Sequence, residues 1–206
     1  MNIFISANNT NQGKTFATFK LIQQFSKMGY RVGVFKPIET GVEEYPKDGA
    51  LLFNEAKKHN PKLNELSLED IVPIQHRLAA SPYVSGDVDF DKIKKAFEKV
   101  KAKSDIVLIE GAGGLLVPIK DDFLMLNFLN FFDAKLFLVI GSQLGMINDF
   151  LLNKYFLECH HIPFDWAINL FDQEEYFRIT HPYMQQYNPL FLQNDLDKIA
   201  QKLLGE

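Results

Sequence analysis

Near the start of the chain, Gly13, Lys14 and Thr15 follow an apolar run and precede a helical stretch, a pattern that could bind phosphate. A phosphate-binding loop uses backbone N–H groups at a helix N-terminus, a lysine that reaches the β- and γ-phosphates, and a hydroxyl that holds Mg²⁺. The first glycine of the usual pattern, G-x-x-x-x-G-K-[ST], is replaced here by Asn8, a residue type that tolerates left-handed backbone better than most. The segment therefore predicts a nucleotide site, and the simpler alternative is a capped helix that begins with a surface lysine.

Two further polar residues end apolar runs that have the character of buried strands. Lys36 follows the run 31–35, and Glu110 follows the run 105–109 and precedes a glycine-rich turn. A lysine at the tip of a buried strand is costly unless it meets an anion. A carboxylate at such a tip can support Mg²⁺, and the glycines let a ligand approach the backbone closely. The alternatives are a solvated lysine at a loop edge and a tight turn with an incidental carboxylate; Asp48 is either a helix-start acid stabilised by the helix dipole or a second metal carboxylate.

Other kinds of chemistry find little support in the composition. The five histidines lack a metal-ligand spacing, and a single cysteine, Cys159, excludes an intramolecular disulfide and a cysteine metal cluster. The net charge of −4 gives no general attraction to nucleic acid or to an anionic membrane. No stretch approaches the length of about 18 apolar residues that crossing a membrane requires, and no signal-peptide pattern follows Met1. We therefore expect a cytoplasmic protein that binds neither nucleic acid nor membrane.

The elements that would position these loops alternate between strands and helices. The candidate strands are 2–6, 31–35, 105–109, 135–140 and 164–170, and the candidate helices are 14–28, 48–59, 89–102, 124–131, 146–159 and 195–204. Nearly continuous apolar strands suit a parallel sheet that is buried on both faces. Residues 1–206 are too few for two such domains. We predict a single α/β domain of the P-loop NTPase type, with a doubly wound, mostly parallel sheet, helices on both faces, and ligands beyond the carboxyl ends of the strands.

Several segments taken together resemble the dethiobiotin synthetase family. They are Asn-Asn-Thr-Asn-Gln-Gly-Lys-Thr, Lys-Pro-Ile-Glu-Thr-Gly, Leu-Ala-Ala-Ser-Pro, Ile-Glu-Gly-Ala-Gly-Gly and Gly-Ser-Gln-Leu-Gly-Met-Ile-Asn, in family order from residue 2 to about residue 170. The family's phosphate loop is one residue longer than the strict pattern, so its leading glycine falls on Ala7. The resemblance implies a Mg²⁺-dependent cyclo-ligase that forms the ureido ring of dethiobiotin from 7,8-diaminononanoate, CO₂ or bicarbonate, and ATP, through a carbamate and a carbamoyl phosphate.

The resemblance also implies roles for individual residues. Two lysines would be catalytic: Lys14 would bridge the β- and γ-phosphates, and Lys36 would lie over the carbamate and the transferring phosphoryl group. The residues that would hold Mg²⁺ are Thr15, Asp48 and Glu110. The residues that would bind the nucleotide are Asn11, Gln12, Gly13, Lys14, Thr15, Phe16, Asp48, Glu110, Gly111, Ala112, Gly113 and Asn169. The diamine would contact Thr10, Lys36 and Thr40.

Members of this family are homodimers with shared active sites, in which the diamine spans the interface. The resemblance implies that the substrate carboxylate is received by a turn of the partner subunit formed by Gly145, Met146, Ile147 and Asn148. The turn opens a helix, so its free N–H groups could bind an anion without a lysine. The simpler alternative is an ordinary helix start.

Two departures from the family pattern concern the nucleobase. Asn169 is followed by Leu170 where the family usually has aspartate, and the family's C-terminal Gly-x-x-Pro segment is missing. We therefore expect weak recognition of the base, with a C-terminal segment that does not close over it.

Two other classes of P-loop protein are alternatives. Regulatory ATPases of the partitioning and septum-placement type usually carry a second lysine early in the phosphate loop, and positions 7–12 contain none. The amidating enzymes of cobalamin synthesis need an appended glutaminase domain, for which 206 residues leave no room.

Overall fold

The computed structural model describes residues 1–205. The strands in this part of the chain are β1 (Asn2–Ala7), β2 (Val32–Phe35), β3 (Ile38–Thr40), β4 (Ile74–His76), β5 (Ile106–Gly114), β6 (Pro118–Lys120), β7 (Phe123–Leu124), β8 (Lys135–Gly141) and β9 (Phe164–Asn169). The α-helices are α1 (Lys14–Lys27), α2 (Lys47–His59), α3 (Leu68–Ile71), α4 (Pro82–Ser85), α5 (Phe90–Lys101), α6 (Phe128–Phe131), α7 (Met146–Cys159), α8 (Gln173–Glu175), α9 (His181–Met184) and α10 (Leu196–Leu204). Further turns of 3₁₀ helix are Pro61–Glu65, Met125–Asn127 and Gln185–Tyr187, and a π-helical turn is Tyr176–Thr180.

The central sheet is parallel and has the strand order β2-β5-β1-β8-β9. The chain starts at β1 in the middle, builds β2 and β5 on one side, and then crosses to β8 and β9 on the other. Such a reversal leaves a crevice beyond the carboxyl end of the central strand, where ligands of doubly wound proteins bind. Every residue of β1 and β2 is buried. Helices therefore cover both faces, as the apolar strands predict.

Phenylalanines fill much of the core between the sheet and the helices α5 and α6. The ring of Phe35 lies 5.5 Å from that of Phe97 and 5.7 Å from that of Phe132. Phe128 lies 6.3 Å from Phe4, and all five side chains are buried. On the opposite flank, α1 packs against α2 and α10. The abundant phenylalanine is thus largely core filling, and the strand ends are left free to carry polar residues.

The expected strands and long helices are confirmed, mostly within one or two residues of their predicted bounds. The predicted helix 124–131 is instead a 3₁₀ turn followed by the short α6, and β5 continues five residues beyond its predicted end, to Gly114. The short pairs β3–β4 and β6–β7 were not predicted, because two or three residues give no periodic signal. No helix within residues 1–205 has the length and the apolar character needed to cross a membrane.

Candidate functional site

A cavity of about 1010 Å³ opens beyond the carboxyl ends of the central strands. The sequence-predicted residues that line it are Thr10, Asn11, Gly13, Lys14, Thr15, Phe16, Lys36, Thr40, Asp48, Glu110, Gly111, Ala112, Gly113 and Asn169. Gln12 is buried, and its Nε2 atom donates to the carbonyl of Thr10 at 3.1 Å and to Oε1 of Gln143 at 3.2 Å. The turn 145–148 lies outside the cavity walls. The fold thus gathers the phosphate loop, both candidate carboxylates and Lys36 around one space.

The loop between β1 and α1 has the backbone conformation of a tight cradle. Asn11 and Gly13 adopt left-handed conformations, with φ of 58° and 99°. A Cβ atom on Gly13 would lie 2.1 Å from Nδ2 of Asn169, so this position requires glycine for both conformation and space. The expectation that Asn8 supplies the left-handed residue is wrong, because Asn8 anchors the loop instead. Its side chain accepts from the N–H of Gly141 and donates to Asp149, each at 3.3 Å.

Lys14 curls back over the loop that precedes it. Its Nζ atom donates to the carbonyl of Asn9 at 3.3 Å, and the residue is only 8% exposed. Burial lowers the pKa of Lys14 to about 8, although the attraction of Glu110 favours the charged form. A buried ammonium group with a neutral carbonyl partner would be stabilised by an anion such as a phosphate.

The most buried charges of the site are those of Lys36 and Glu110. Their residues follow the paired positions Phe35 and Ile109 of β2 and β5, so the sheet register sets them side by side. The Lys36 ammonium donates to Oε1 of Glu110, which also accepts from the hydroxyl of Thr15 at 3.1 Å. Burial disfavours the charged form of Lys36, but the attraction of Glu110 and Asp48 and the hydrogen bond to Glu110 outweigh it, so the pKa of Lys36 is raised.

The acidic side chains fit a divalent cation that is shared with phosphate. The Oε2 atom of Glu110 is buried and has no hydrogen-bond partner in residues 1–205. Asp48, on α2, lies with Oδ2 3.7 Å from Nζ of Lys36 and with its side chain 51% exposed. Within the described chain no group of three or more histidine, cysteine or acidic side chains could hold a metal alone. Two carboxylates and the hydroxyl of Thr15 suit Mg²⁺, which usually keeps waters and substrate phosphates among its ligands.

Asn169 lines the cavity, and both polar atoms of its side chain form hydrogen bonds with neighbouring segments. Its Nδ2 atom donates to the carbonyl of Gln12 at 3.1 Å, and its Oδ1 atom accepts from Nε2 of Gln193 at 2.9 Å. Gln193 also accepts from the N–H of Leu170 at 3.3 Å and donates to the Leu170 carbonyl at 3.1 Å. Asn169 therefore braces the phosphate loop, and each of its two amide atoms already makes one hydrogen bond.

The C-terminal segment before α10 reaches the cavity beside Asn169. Phe191 forms a parallel β-bridge with Ile168, so the segment before α10 lies alongside β9 and parallel to it. This contact brings Gln193 to the cavity wall beside Leu170 and Phe171. The segment thus reaches the cavity wall although it lacks the Gly-x-x-Pro pattern.

Sequence reasoning gave no role to Glu39, Ser81, Phe171 or Gln193, which also line the cavity. Glu39 and Ser81 belong to the Lys-Pro-Ile-Glu-Thr-Gly and Leu-Ala-Ala-Ser-Pro segments, so their motifs could have indicated them. Gln193 had no such signal, because it meets Asn169 across 24 residues of chain.

The turn 145–148 stands apart from this cavity within one chain. Gly145 has φ of 95° and begins α7, and a Cβ atom there would meet nothing within 4 Å. The neighbouring Leu144 is fully exposed, as are large parts of Leu152 and Tyr155 along α7. This helix start therefore lies outside the cavity of its own chain, next to an exposed apolar surface.

A family model described as an AAA domain matches residues 1–174. The chain is 36% identical to the ATP-dependent dethiobiotin synthetase BioD of Sulfurovum sp. (strain NBC37-1), an alignment that covers 98% of this chain and 99% of that protein. It is also 36% identical to the protein of that name from Wolinella succinogenes, over 98% of both chains. The identity to the protein of that name from Helicobacter pylori (strain 26695) is 33%, over 90% of this chain and 89% of the relative.

Solved structures with a similar fold include the MinD cell division protein of Aquifex aeolicus. It superposes with a TM-score of 0.52 at 16% identity, over 98% of this chain and 86% of that chain. A plasmid partition protein from Borrelia burgdorferi superposes with a TM-score of 0.58 at 9% identity, over 99% of this chain and 97% of that chain. At these identities the similarity supports the P-loop fold alone.

Proposed function

Since the chain belongs to the family of ATP-dependent dethiobiotin synthetases, we propose that residues 1–206 form one ligase domain whose cavity closes the ureido ring on 7,8-diaminononanoate. The chain is an ATP-dependent ligase that forms dethiobiotin. The observation that carries the assignment of this chemistry to the cavity is that Lys14, Lys36 and Glu110 line it together. This arrangement provides two cations and one buried carboxylate where a triphosphate can lie against the loop.

The reaction proceeds in three steps that each use a charge of the site. One amine of the diamine adds to CO₂ and loses a proton, which gives a carbamate anion. A carbamate oxygen attacks the γ-phosphorus of ATP, the bond to the β-phosphate oxygen breaks, and ADP leaves. The second amine then attacks the carbonyl carbon of the carbamoyl phosphate, inorganic phosphate leaves, and the ring closes with loss of a proton.

Two lysines stabilise the negative charge that moves in the second step. Lys14 contacts the β- and γ-phosphates from the loop, and Lys36 stands over the carbamate and the transferring phosphoryl group. Such preorganised donors act strongly because the site is buried and they need not reorient during the reaction. Thr10 and Thr40, on the cavity wall, hold the amine end of the substrate.

Mg²⁺ is the cofactor of this proposal, held by Thr15, Asp48 and Glu110. When bound, it neutralises phosphate charge and polarises the phosphoryl group. The Oε2 atom of Glu110 supports this assignment. It is buried and has no hydrogen-bond partner in the described chain, so a bound cation would supply the partner that a buried oxygen needs. The need for ATP is also the reason to propose that the enzyme works in the cytoplasm.

The proposed assembly is a homodimer in which each site borrows the turn 145–148 of the partner subunit. The exposed apolar side chains of Leu144, Leu152 and Tyr155 support an interface along α7. The turn begins a helix, where the first N–H groups lack acceptors within the helix, and its residues do not line the cavity of their own chain. In a dimer it would receive the carboxylate of the diamine.

A coupled assay of phosphate release tests this function. Phosphate release should need diamine, bicarbonate and ATP together, and it should fall to background when any one is omitted. A regulatory ATPase of the partitioning type, whose fold this chain shares, would instead hydrolyse ATP at the same rate with and without diamine.

A further inference from the structure

The first turn of α2 is capped by a side chain from another element. Helix α2 begins at Lys47, and its N-cap residue is Pro46, which has no side-chain acceptor. The first N–H groups of a helix need acceptors from outside the helix. Glu39, on β3, supplies acceptors for two of these N–H groups. Its Oε1 atom accepts from the N–H of Asp48 at 3.1 Å, and its Oε2 atom accepts from the N–H of Gly49 at 2.9 Å.

This contact is held from both sides. Glu39 is only 7% exposed, and β3 is fixed by its pairing with β4. On the helix side, a Cβ atom on Gly49 would lie 2.1 Å from Cγ2 of Val72 and 3.3 Å from Oε2 of Glu39. Glycine at this position therefore lets the first turn of α2 pack closely against Val72 while its N–H groups reach the carboxylate of Glu39.

The residue that this turn carries into the site is Asp48. Its side chain is half exposed, and its polar contact within residues 1–205 is the 3.7 Å ion pair with Lys36. Side-chain contacts alone thus hold the Asp48 carboxylate weakly. Its place beside Lys36 and Glu110 follows mainly from where the backbone of α2 begins.

We propose that Glu39 is a positioning residue of the ligase: by capping the first turn of α2 it fixes the carboxylate of Asp48 beside Lys36 and Glu110, where a divalent cation binds. This inference rests on the proposed function of the same cavity. In this proposal Glu39 acts through Asp48, because both of its oxygens are directed at backbone N–H groups of the first turn of α2. Outer residues that orient metal ligands in this way commonly change metal affinity by about 10- to 100-fold when they are removed.

The chain offers a matched control for an ordinary helix cap. Asp89 is the N-cap of α5, and its side chain accepts from the N–H of Lys92 at 2.9 Å, outside the cavity. Asp89→Ala removes a cap without touching the site. Glu39→Ala removes the cap of α2, and Glu39→Gln keeps one acceptor oxygen but turns an NH₂ group toward the other N–H.

The test compares these variants by thermal unfolding, by the Mg²⁺ concentration that gives half-maximal ligase rate, and by titration of Mn²⁺ into the enzyme–ADP complex followed by electron paramagnetic resonance. Glu39→Ala and Asp89→Ala should both lower the melting temperature. Only Glu39→Ala should raise the half-maximal Mg²⁺ concentration and weaken Mn²⁺ binding, each by at least about tenfold. Glu39→Gln should fall between Glu39→Ala and the wild type.

The proposal is overturned if Glu39→Ala binds Mn²⁺ within about twofold of the wild type while melting at a lower temperature, since Glu39 is then only a cap. If Glu39→Ala does not fold, Glu39→Gln decides in the same way: weaker Mn²⁺ binding supports the proposal and unchanged binding overturns it. The Mn²⁺ titration needs no diamine. An enzyme without diamine-dependent turnover would therefore refute the proposed function, and the Mn²⁺ result would still decide the role of Glu39.

Discussion

The Nζ atom of Lys36, the residue that follows β2, lies 2.5 Å from Oε1 of Glu110 in the neighbouring strand β5, and both residues are buried. Because β2 and β5 are paired up to Phe35 and Ile109, this contact follows from the sheet register. Each charge makes the burial of the other tolerable in the absence of ligands. The same ion pair keeps the Lys36 ammonium charged and holds it at the wall of the cavity.

Replacing one member of this pair should affect both stability and turnover. Lys36→Met leaves Glu110 buried without its main partner, so we expect a loss of about 3 kcal/mol in the free energy of unfolding and a fall of at least about a hundredfold in turnover. The double variant Lys36→Met/Glu110→Gln removes both charges and should regain most of the stability but none of the turnover. Denaturant unfolding and the coupled phosphate assay measure the two effects. A single variant that retains turnover within about tenfold of the wild type would remove Lys36 from the catalytic set.

Lys14 should behave differently, because its charge is buried against a neutral carbonyl group. Lys14→Met should lower turnover by at least about a hundredfold. It should also raise the free energy of unfolding of the ligand-free enzyme at neutral pH by about 1 to 3 kcal/mol, since burial lowers the pKa of Lys14 to about 8 and thus penalises its charged form. Unfolding curves measured without nucleotide test this, and a marked loss of stability would show that Lys14 has a structural role that its contacts do not reveal.

The two chains of the proposed dimer should complement each other. Lys14→Ala disables the loop of its own chain, and Asn148→Asp places a negative charge in the turn that would receive the substrate carboxylate. Mixed dimers have one site with both defects and one intact site. After random exchange of subunits the mixture should therefore recover about a quarter of wild-type activity, because half of the dimers are mixed. Activity that stays at the sum of the separate inactive samples, or a fully active monomer, would exclude shared sites.

The nucleobase should contribute little to selectivity. Both amide atoms of Asn169 are engaged by Gln12 and Gln193, and Leu170 presents no side-chain acceptor. The half-exposed ring of Phe171 can stack on any base. We expect kcat/KM values for ATP, GTP and CTP within about thirtyfold of one another, since strong discrimination needs buried polar groups that the wrong ligand leaves unpaired. An ATP preference beyond about a thousandfold, roughly 4 kcal/mol, would contradict this expectation. It would show that the side-chain amides of Asn169 and Gln193 rearrange to form hydrogen bonds with adenine.

The ion pair between Arg31 and Asp105 should make a small, acid-sensitive contribution to stability. Asp105 accepts from both the side chain and the backbone N–H of Arg31, and these bonds lower its pKa to about 2. A carboxylate whose pKa is lower in the folded state stabilises the fold above its unfolded pKa, and this contribution fades as the pH falls from about 4 to about 2. Asp105→Asn should therefore unfold more easily at pH 7, by at most about 1 kcal/mol because the pair is exposed, and the difference should shrink at pH 2. An equal difference at both values would contradict the ionic origin.

The sequence predicted those parts of the site that follow directly from strand ends. Lys36 and Glu110 each terminate an apolar run, and the parallel register places them together without further information. The sequence could not predict contacts between distant segments, such as Gln193 against Asn169 or the capping of α2 by Glu39. Those contacts depend on where short segments without hydrophobic periodicity, such as β3 and the segment before α10, pack against the sheet. Local sequence patterns do not predict that packing.

The measurement that tests the central claim most directly is the fate of labelled carbon. The enzyme is incubated with 7,8-diaminononanoate, ¹³C-bicarbonate, ATP and Mg²⁺, and the products are analysed by mass spectrometry together with ADP and phosphate. The account predicts dethiobiotin that carries one ¹³C atom in its ureido ring, formed in equal amounts with ADP and phosphate and abolished by Lys36→Met. ADP and phosphate formed at the same rate without diamine, and without a labelled cyclic product, would contradict it.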